Sequence, residues 1–167
     1  MDKIVFITGA SSGIGAGCAR KFASQGASLI LNARNVNKLS ALKEELEKQY
    51  GAKIYLLPFD VRDRKAATSA LESLPKEWQS IDILVNNAGL VIGTDKEQEG
   101  SLDEWDIVID TNIKALLAMT RLIVPGMVER KRGHIINIGS IAGDAAYPGG
   151  SVYCATKAAV KALSDGL

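Results

Sequence analysis

Cysteine, histidine and aromatic residues are scarce in this 167-residue chain. The two cysteines, Cys18 and Cys154, stand far apart and in no metal-ligand spacing, which argues against a disulfide framework or a thiolate metal site. The one histidine, His134, opens an apolar run without a second imidazole nearby and reads as structural; no metal is expected. Charge of one sign is also lacking: 20 basic and 19 acidic residues leave a net +1. That balance gives no footprint for nucleic acid or for an anionic membrane surface. The short basic run at 130–132 reads as a solvated helix C-terminus. No apolar stretch approaches a bilayer span, and Ile4-Val5-Phe6-Ile7 is too short for the apolar core of a secretory leader. The expectation is a reduced, cytoplasmic protein with neither membrane nor nucleic-acid partners. A hydrophobic share of 47% with 23% charged residues suits one globular domain over 1–167.

What is present is an alternation of strands and helices. Short β-branched or apolar runs predict strands over 4–8, 28–32, 53–59, 81–86 and 134–138. Between them, helices are predicted over 13–24, 36–50 and 62–74. Val36, Leu39, Leu42, Leu46 and Tyr50 recur three or four apart, one face of a helix ended by Gly51. After a polar loop at 94–100, Ser101-Leu102-Asp103-Glu104 carries a capping-box pattern. The helix it opens is expected to reach about residue 130, to kink at Pro125, and to be covered on both sides because it is apolar nearly all round. A last helix is expected from about 151, running off the end at Leu167. Apolar strands joined by helical crossovers predict a doubly wound α/β domain with a parallel sheet, whose ligands bind at the carboxyl ends of the strands.

The first such end carries Thr8-Gly9-Ala10-Ser11-Ser12-Gly13-Ile14-Gly15. Glycines there serve a tight turn, close approach of backbone to a pyrophosphate, and close packing of helix on strand. The helix start adds unpaired N–H groups and partial positive charge. At the end of the second strand stands Asn32-Ala33-Arg34-Asn35. It lacks the carboxylate that would hold a ribose 2′-hydroxyl, and Arg34 offers a planar cation to a phosphate. NADP(H) is therefore expected over NAD(H). Tyr153 and Lys157 lie four apart, on one face of the last helix. Such a pair arises by chance in roughly one chain of this size in three, so its weight comes from its company.

That company resembles the short-chain dehydrogenase/reductase family along the whole chain. The resemblance implies a Rossmann-type fold and a cofactor site at Thr8, Gly9, Ser11, Ser12, Gly13, Ile14, Gly15, Arg34, Asn35, Tyr153 and Lys157. It adds Asp60-Val61 as an adenine clamp, and Asn86-Asn87-Ala88-Gly89 as support for the sheet and lining for the cofactor. It implies a catalytic tetrad of Asn112, Ser140, Tyr153 and Lys157. A free phenol titrates near ~10; an ammonium about 4 Å away, at an effective dielectric of about 20, favours phenolate by ~4 kcal/mol. Tyr153 would then exchange the hydroxyl proton, Ser140 would hold the substrate oxygen, and Lys157 would hold the nicotinamide ribose. Asn112 would kink its helix and anchor a proton-relaying water. Tyr147, before the last helix, is expected to border the substrate with Ser140 and Tyr153. Within the family, Ser73-Leu74-Pro75-Lys76-Glu77-Trp78 and the stretches 81–89 and 125–140 look most like the NADP-dependent 3-hydroxy acid dehydrogenases, which implies a small hydroxy acid such as serine, or the matching carbonyl compound. The alternatives are a ketoacyl or polyol reductase of the same family and a non-catalytic NADP-binding protein. Members commonly form dimers or tetramers, and a homo-oligomer is expected. They also continue past this helix into two more strands, so the C-terminal part of the fold is expected to be missing, and residues 1–167 alone are not expected to be active.

Overall fold

The computed structural model describes residues 3–93 and 95–167; Met1, Asp2 and Thr94, the first residue of the expected polar loop, lie outside the described residues. The elements run β1 (Ile4–Ile7), α1 (Gly13–Ser24), β2 (Ser28–Leu31), α2 (Val36–Tyr50), β3 (Ile54–Leu56), α3 (Arg64–Glu72), β4 (Ile81–Asn86), α4 (Leu102–Ile109), α5 (Ala115–Glu129), β5 (His134–Asn137) and α6 (Ser151–Asp165). All four strand pairings are parallel, in the order β3-β2-β1-β4-β5. This is the doubly wound sheet that the alternation predicts.

Period-two alternation divides the core into two layers. Val5, Ile7, Leu29, Leu31, Ile83 and Val85 face α1 and α2, meeting Ala19, Ala23, Leu39 and Leu46. Phe6, Ile30 and Leu84 face α3 and α5, meeting Ala67, Met119 and Ile123. Each fully buried Leu, Ile or Phe contributes about 1.5–3 kcal/mol relative to exposure. The chain steps outward from β1 to β3, then returns to the far side of β1 as β4. The carboxyl ends therefore diverge between β1 and β4, and a crevice opens there.

Several boundaries differ from expectation for identifiable reasons. β3 stops at Leu56 because the ladder passes to a side chain: Asn32 Nδ2 donates to the carbonyls of Leu57 and Phe59 at 3.0 and 3.1 Å. α3 begins at Arg64 because residues 60–63 form a turn, closed by Asp63 N–H to the Asp60 carbonyl at 2.9 Å. Asp63 then caps the helix by accepting from the N–H groups of Lys65 and Ala66, both at 3.0 Å. The long helix is interrupted by a π-helical turn over Asp110–Lys114, which contains Asn112, the residue expected to kink it, and α5 continues through Pro125. It is also not covered on both sides within this chain: Leu102, Leu117 and Val128 are 71%, 44% and 69% exposed. α6 ends at Asp165 with Gly166 beyond it, rather than running through Leu167. The basic run is more than a solvated end. Arg130 Nη2 donates to the Ile81 carbonyl at 2.7 Å, and Arg132 pairs with buried Asp82 at 2.8 Å, so both tie the end of α5 to the start of β4.

Candidate active site

A cavity of about 1070 Å³ runs along the carboxyl ends of the strands. Its first wall is the turn after β1, formed by Gly9, Ser11, Ser12, Gly13 and Ile14. Gly9 and Gly13 adopt φ values of +62° and +52°, the left-handed region that glycine enters without strain. Ser12 precedes the first residue of α1 and makes no side-chain cap, so its hydroxyl and the first N–H groups of the helix are open to an anion. Gly15 answers a different need. A Cβ there would lie 2.4 Å from the Gly9 carbonyl oxygen and 2.5 Å from Asn87 Nδ2.

Thr8 and Gly15 do not line the cavity, contrary to the expected cofactor set. The Thr8 hydroxyl is buried and accepts from the N–H groups of Asn87 and Ala88 at 3.0 and 2.9 Å. Asn87 Nδ2 completes this clamp by donating to the carbonyls of Thr8 and Gly9 at 2.9 and 3.1 Å. Thr8 and Gly15 thus shape the turn from behind. Asn87, Ala88 and Gly89 continue along the cavity wall. Neighbouring Asn86 turns the other way, donating to Thr120 Oγ1 and Asn137 Oδ1 at 3.1 and 2.9 Å.

The opposite wall is built from the exits of β2 and β3. Arg34, Asn35, Asp60 and Val61 all line it. Asn35 caps α2 by accepting from the Lys38 N–H at 2.9 Å. Two cations that the sequence reading passed over, Lys38 and Arg62, line the cavity as well. Lys38 left a legible trace: a cation in the first turn of a helix opposes the macrodipole, which suggests a purpose other than stability. Arg62 left none, because its relation to Asp60 depends on the 60–63 turn. There Arg62 takes both carboxylate oxygens, with Nη2 to Oδ2 at 2.7 Å. The hydrogen bond from Arg62 holds the Asp60 carboxyl below its ordinary pKa.

At the far end, Ile138, Gly139, Ser140, Tyr153 and Lys157 come together on the same cavity. Ser140 accepts from the Ala142 N–H at 3.1 Å, opening a short 3-10 turn, Ile141–Gly143. Gly143 lets that turn rest on α6, since a Cβ there would lie 2.8 Å from the Lys157 carbonyl carbon. α6 is set by a turn at Tyr147-Pro148-Gly149-Gly150. The Gly150 N–H donates to the Tyr147 carbonyl at 3.1 Å, and Gly149 takes φ +76°, the pattern in which Pro and Gly suit the two central positions. Tyr147 packs its ring over Gly150 and is not among the residues that line the cavity. Lys157 is 8% exposed; its ammonium donates to the Ile138 carbonyl at 2.7 Å and lies 5.9 Å from the centre of the Tyr153 ring. Burial holds its pKa below that of an ordinary lysine. With one of three hydrogens committed, two remain for the cavity.

Asn112 does not line the cavity. It sits behind it in the π turn, 2% exposed, bonded to both main-chain groups of Leu90 and to Thr156 Oγ1. Among the described residues there is no group of three or more His, Cys, Asp and Glu side chains that could hold a metal, and no helix long and apolar enough to cross a membrane.

The cavity thus joins a phosphate turn, a basic rim and a Ser–Tyr–Lys group. Four similarities to known proteins bear on it. The family model described as short chain dehydrogenase matches residues 3–167. The NADP-dependent 3-hydroxy acid dehydrogenase of Escherichia coli O6:H1 is 50% identical over 161 residues, which are 96% of this chain and 63% of that protein. The NADP-dependent 3-hydroxy acid dehydrogenase of Schizosaccharomyces pombe is 43% identical over 166 residues, 99% of this chain and 64% of that protein. This chain therefore spans less than two thirds of the length of these relatives. The crystal structure of serine dehydrogenase from Escherichia coli superposes with a TM-score of 0.92 at 49% identity, covering 98% of this chain and 74% of that one.

Proposed function

The chain belongs to the short chain dehydrogenase family, and on that premise we propose that it carries the coenzyme site and proton-transfer group of an NADP(H)-dependent oxidoreductase. The observation that carries this reading is that one cavity is lined by the glycine turn, by Arg34 and Lys38, and by Ser140, Tyr153 and Lys157. The lining fits a phosphorylated dinucleotide. A Cβ at Gly89 would stand 3.2 Å from Asn112 Oδ1 and 3.6 Å from Lys157 Nζ, filling the space in front of the lysine. The first turn of α1 and the cations at 34 and 38 offer donors for phosphate at two separate places. When bound, NADP(H) supplies or accepts the hydride exchanged with the carbinol or carbonyl carbon of the substrate.

The chain's own residues then handle the proton and the oxygen. Tyr153 passes a proton to or from the substrate oxygen. Ser140 donates a hydrogen bond to that oxygen and stabilises its charge. The Lys157 ammonium gives a developing phenolate a countercharge and offers its free hydrogens to the coenzyme ribose. Asn112 positions rather than reacts, binding the loop after β4 to α6. The substrate class proposed is a small 3-hydroxy acid such as serine, supported by the names of the relatives and by the serine dehydrogenase neighbour. A homo-oligomer is proposed, supported by the exposed Leu102, Leu117 and Val128 along α4 and α5. A cytoplasmic setting is proposed, supported by two unpaired thiols, Cys18 and Cys154.

Titration of NADP+ and NAD+ against the protein tests the coenzyme assignment. NADP+ is expected to bind at least about 10-fold tighter, as a charge-assisted phosphate contact implies, with Arg34→Ala removing most of that preference. Equal binding of the two coenzymes would overturn it. A panel of 3-hydroxy acids, ketoacyl thioesters and polyols assigns the substrate, with the hydroxy acids expected to turn over fastest.

A further inference from the structure

Asp60 presents a difficulty for a coenzyme bearing a 2′-phosphate. Its carboxylate lines the same wall as Arg34, and a carboxylate there both repels a phosphate and attracts the arginine meant for it. Arg34 Nη1 already stands 4.0 Å from Asp60 Oδ2, with its side chain 67% exposed. The chain meets this with the 60–63 turn, which folds Arg62 back over Asp60. Nε lies 3.1 Å from Oδ1 and 3.2 Å from Oδ2, Nη2 lies 2.7 Å from Oδ2, and the Arg62 N–H donates to Oδ1 at 3.0 Å. Asp60 is thereby satisfied locally, and its charge is balanced before any ligand arrives.

Resting on the NADP(H) reading above, we propose that Arg62 sets coenzyme selectivity through Asp60: by occupying both carboxylate oxygens it leaves Arg34 free for the 2′-phosphate and cancels the repulsion the carboxylate would exert. Arg62 is thus a positioning residue for the phosphate site. Its effect falls on the phosphorylated coenzyme alone, because NAD+ has no charge at that position to be repelled. Two other roles are distinguishable. A merely structural Arg62, holding the turn into α3, would affect both coenzymes equally. An Arg62 that reached the phosphate itself would matter whether or not Asp60 were charged.

The test is a set of dissociation constants for NADP+ and NAD+, measured by calorimetry without substrate. The proteins compared are the wild type, Arg62→Gln, Asp60→Asn, the double variant and Arg34→Ala, each checked for folding by thermal melting. Arg62→Gln is expected to weaken NADP+ by about 10-fold and NAD+ by less than about 2-fold. The double variant is expected to recover the wild-type ratio of the two constants to within about 2-fold, a coupling that independent sites do not show. Equal weakening of both coenzymes by Arg62→Gln would overturn the proposal, as would a double variant no more selective than Arg62→Gln. If Arg34→Ala leaves the ratio unchanged, the NADP(H) reading falls and takes this inference with it. If Arg34→Ala collapses the ratio and Arg62→Gln does not, only the inference falls.

Discussion

Asn112 and Leu90 hold each other by two hydrogen bonds of 2.9 Å, the side-chain amide donating to the Leu90 carbonyl while its oxygen accepts from the Leu90 N–H. The side chain thus pairs with main chain as a neighbouring strand would. It does so from a π turn, whose wider winding turns a helical residue toward the loop after β4. A third bond to Thr156 Oγ1 at 3.0 Å carries the connection into α6, one residue from Lys157. Asn112→Ala leaves the half-buried Leu90 N–H and carbonyl without these partners, at up to about 1–3 kcal/mol each. A loss of about 2–4 kcal/mol is expected in urea denaturation, with turnover falling as well; a loss below about 0.5 kcal/mol would show that the pairing is dispensable.

Tyr153 and Ser140 differ in what each removes. Tyr153→Phe keeps the ring and deletes the proton carrier, so turnover should fall at least about 100-fold with the NADP+ dissociation constant changed by less than about 2-fold. Ser140→Ala should lower turnover by about 100-fold to 1000-fold, as loss of one oxyanion donor does. Normal turnover in Tyr153→Phe would end the assignment of that residue.

Lys157 makes stability depend on alkaline pH. Its ammonium is buried, and no carboxylate pairs with it among the described residues, so its folded pKa lies below the ordinary lysine value. Between those two values the unfolded chain holds a proton that the folded chain has released, and stability rises with pH. The coenzyme-free protein should therefore gain stability relative to Lys157→Met as pH is raised from neutrality towards about 10. A difference between the two proteins that stays flat over that range would contradict the assignment.

The glycines of the turn should rank in a definite order. Gly15→Ala drives a methyl group into the Gly9 carbonyl and the Asn87 amide, an overpacking worth about 1–3 kcal/mol. Gly13→Ala meets nothing within 4 Å but must hold φ +52°, worth about 1 kcal/mol. Thermal melting should therefore place Gly15→Ala below Gly13→Ala. Coenzyme binding should weaken in Gly15→Ala, whose clash displaces the Asn87 clamp.

The sheet was readable because each strand is a compact apolar run bounded by a glycine, an asparagine or a cap, and parallel order follows from helical crossovers. Its edges were less so. β3 ends early because Asn32 lends a side chain to the ladder, a long-range event without a local trace. Of the two places where the long helix is expected to bend, Pro125 lies inside regular α5, whereas Asn112 lies in the π turn at Asp110–Lys114, where it gains three hydrogen bonds by leaving regular winding. The residues facing the cavity were legible wherever a motif marks a strand exit. Thr8, Gly15 and Asn112 sit in those motifs but serve behind the wall, and sequence spacing does not separate lining from backing. Arg62 was overlooked for the opposite reason, since a guanidinium two residues from a carboxylate usually projects elsewhere, and only the 60–63 turn brings the two together.

The clamp of Asn87 on Thr8 and Gly9 joins residues 79 and 78 positions apart in the chain. During synthesis, therefore, β1 and the glycine loop leave the ribosome long before the strand that completes them. Until Asn87 has emerged, the nascent chain has β1 flanked on one side only, and the loop lacks the amide that fixes its shape. The shape of the glycine loop and the closing of the central three strands thus arrive in a single event, once the middle of this segment has emerged, while the Ser140, Tyr153 and Lys157 end of the cavity is still to come.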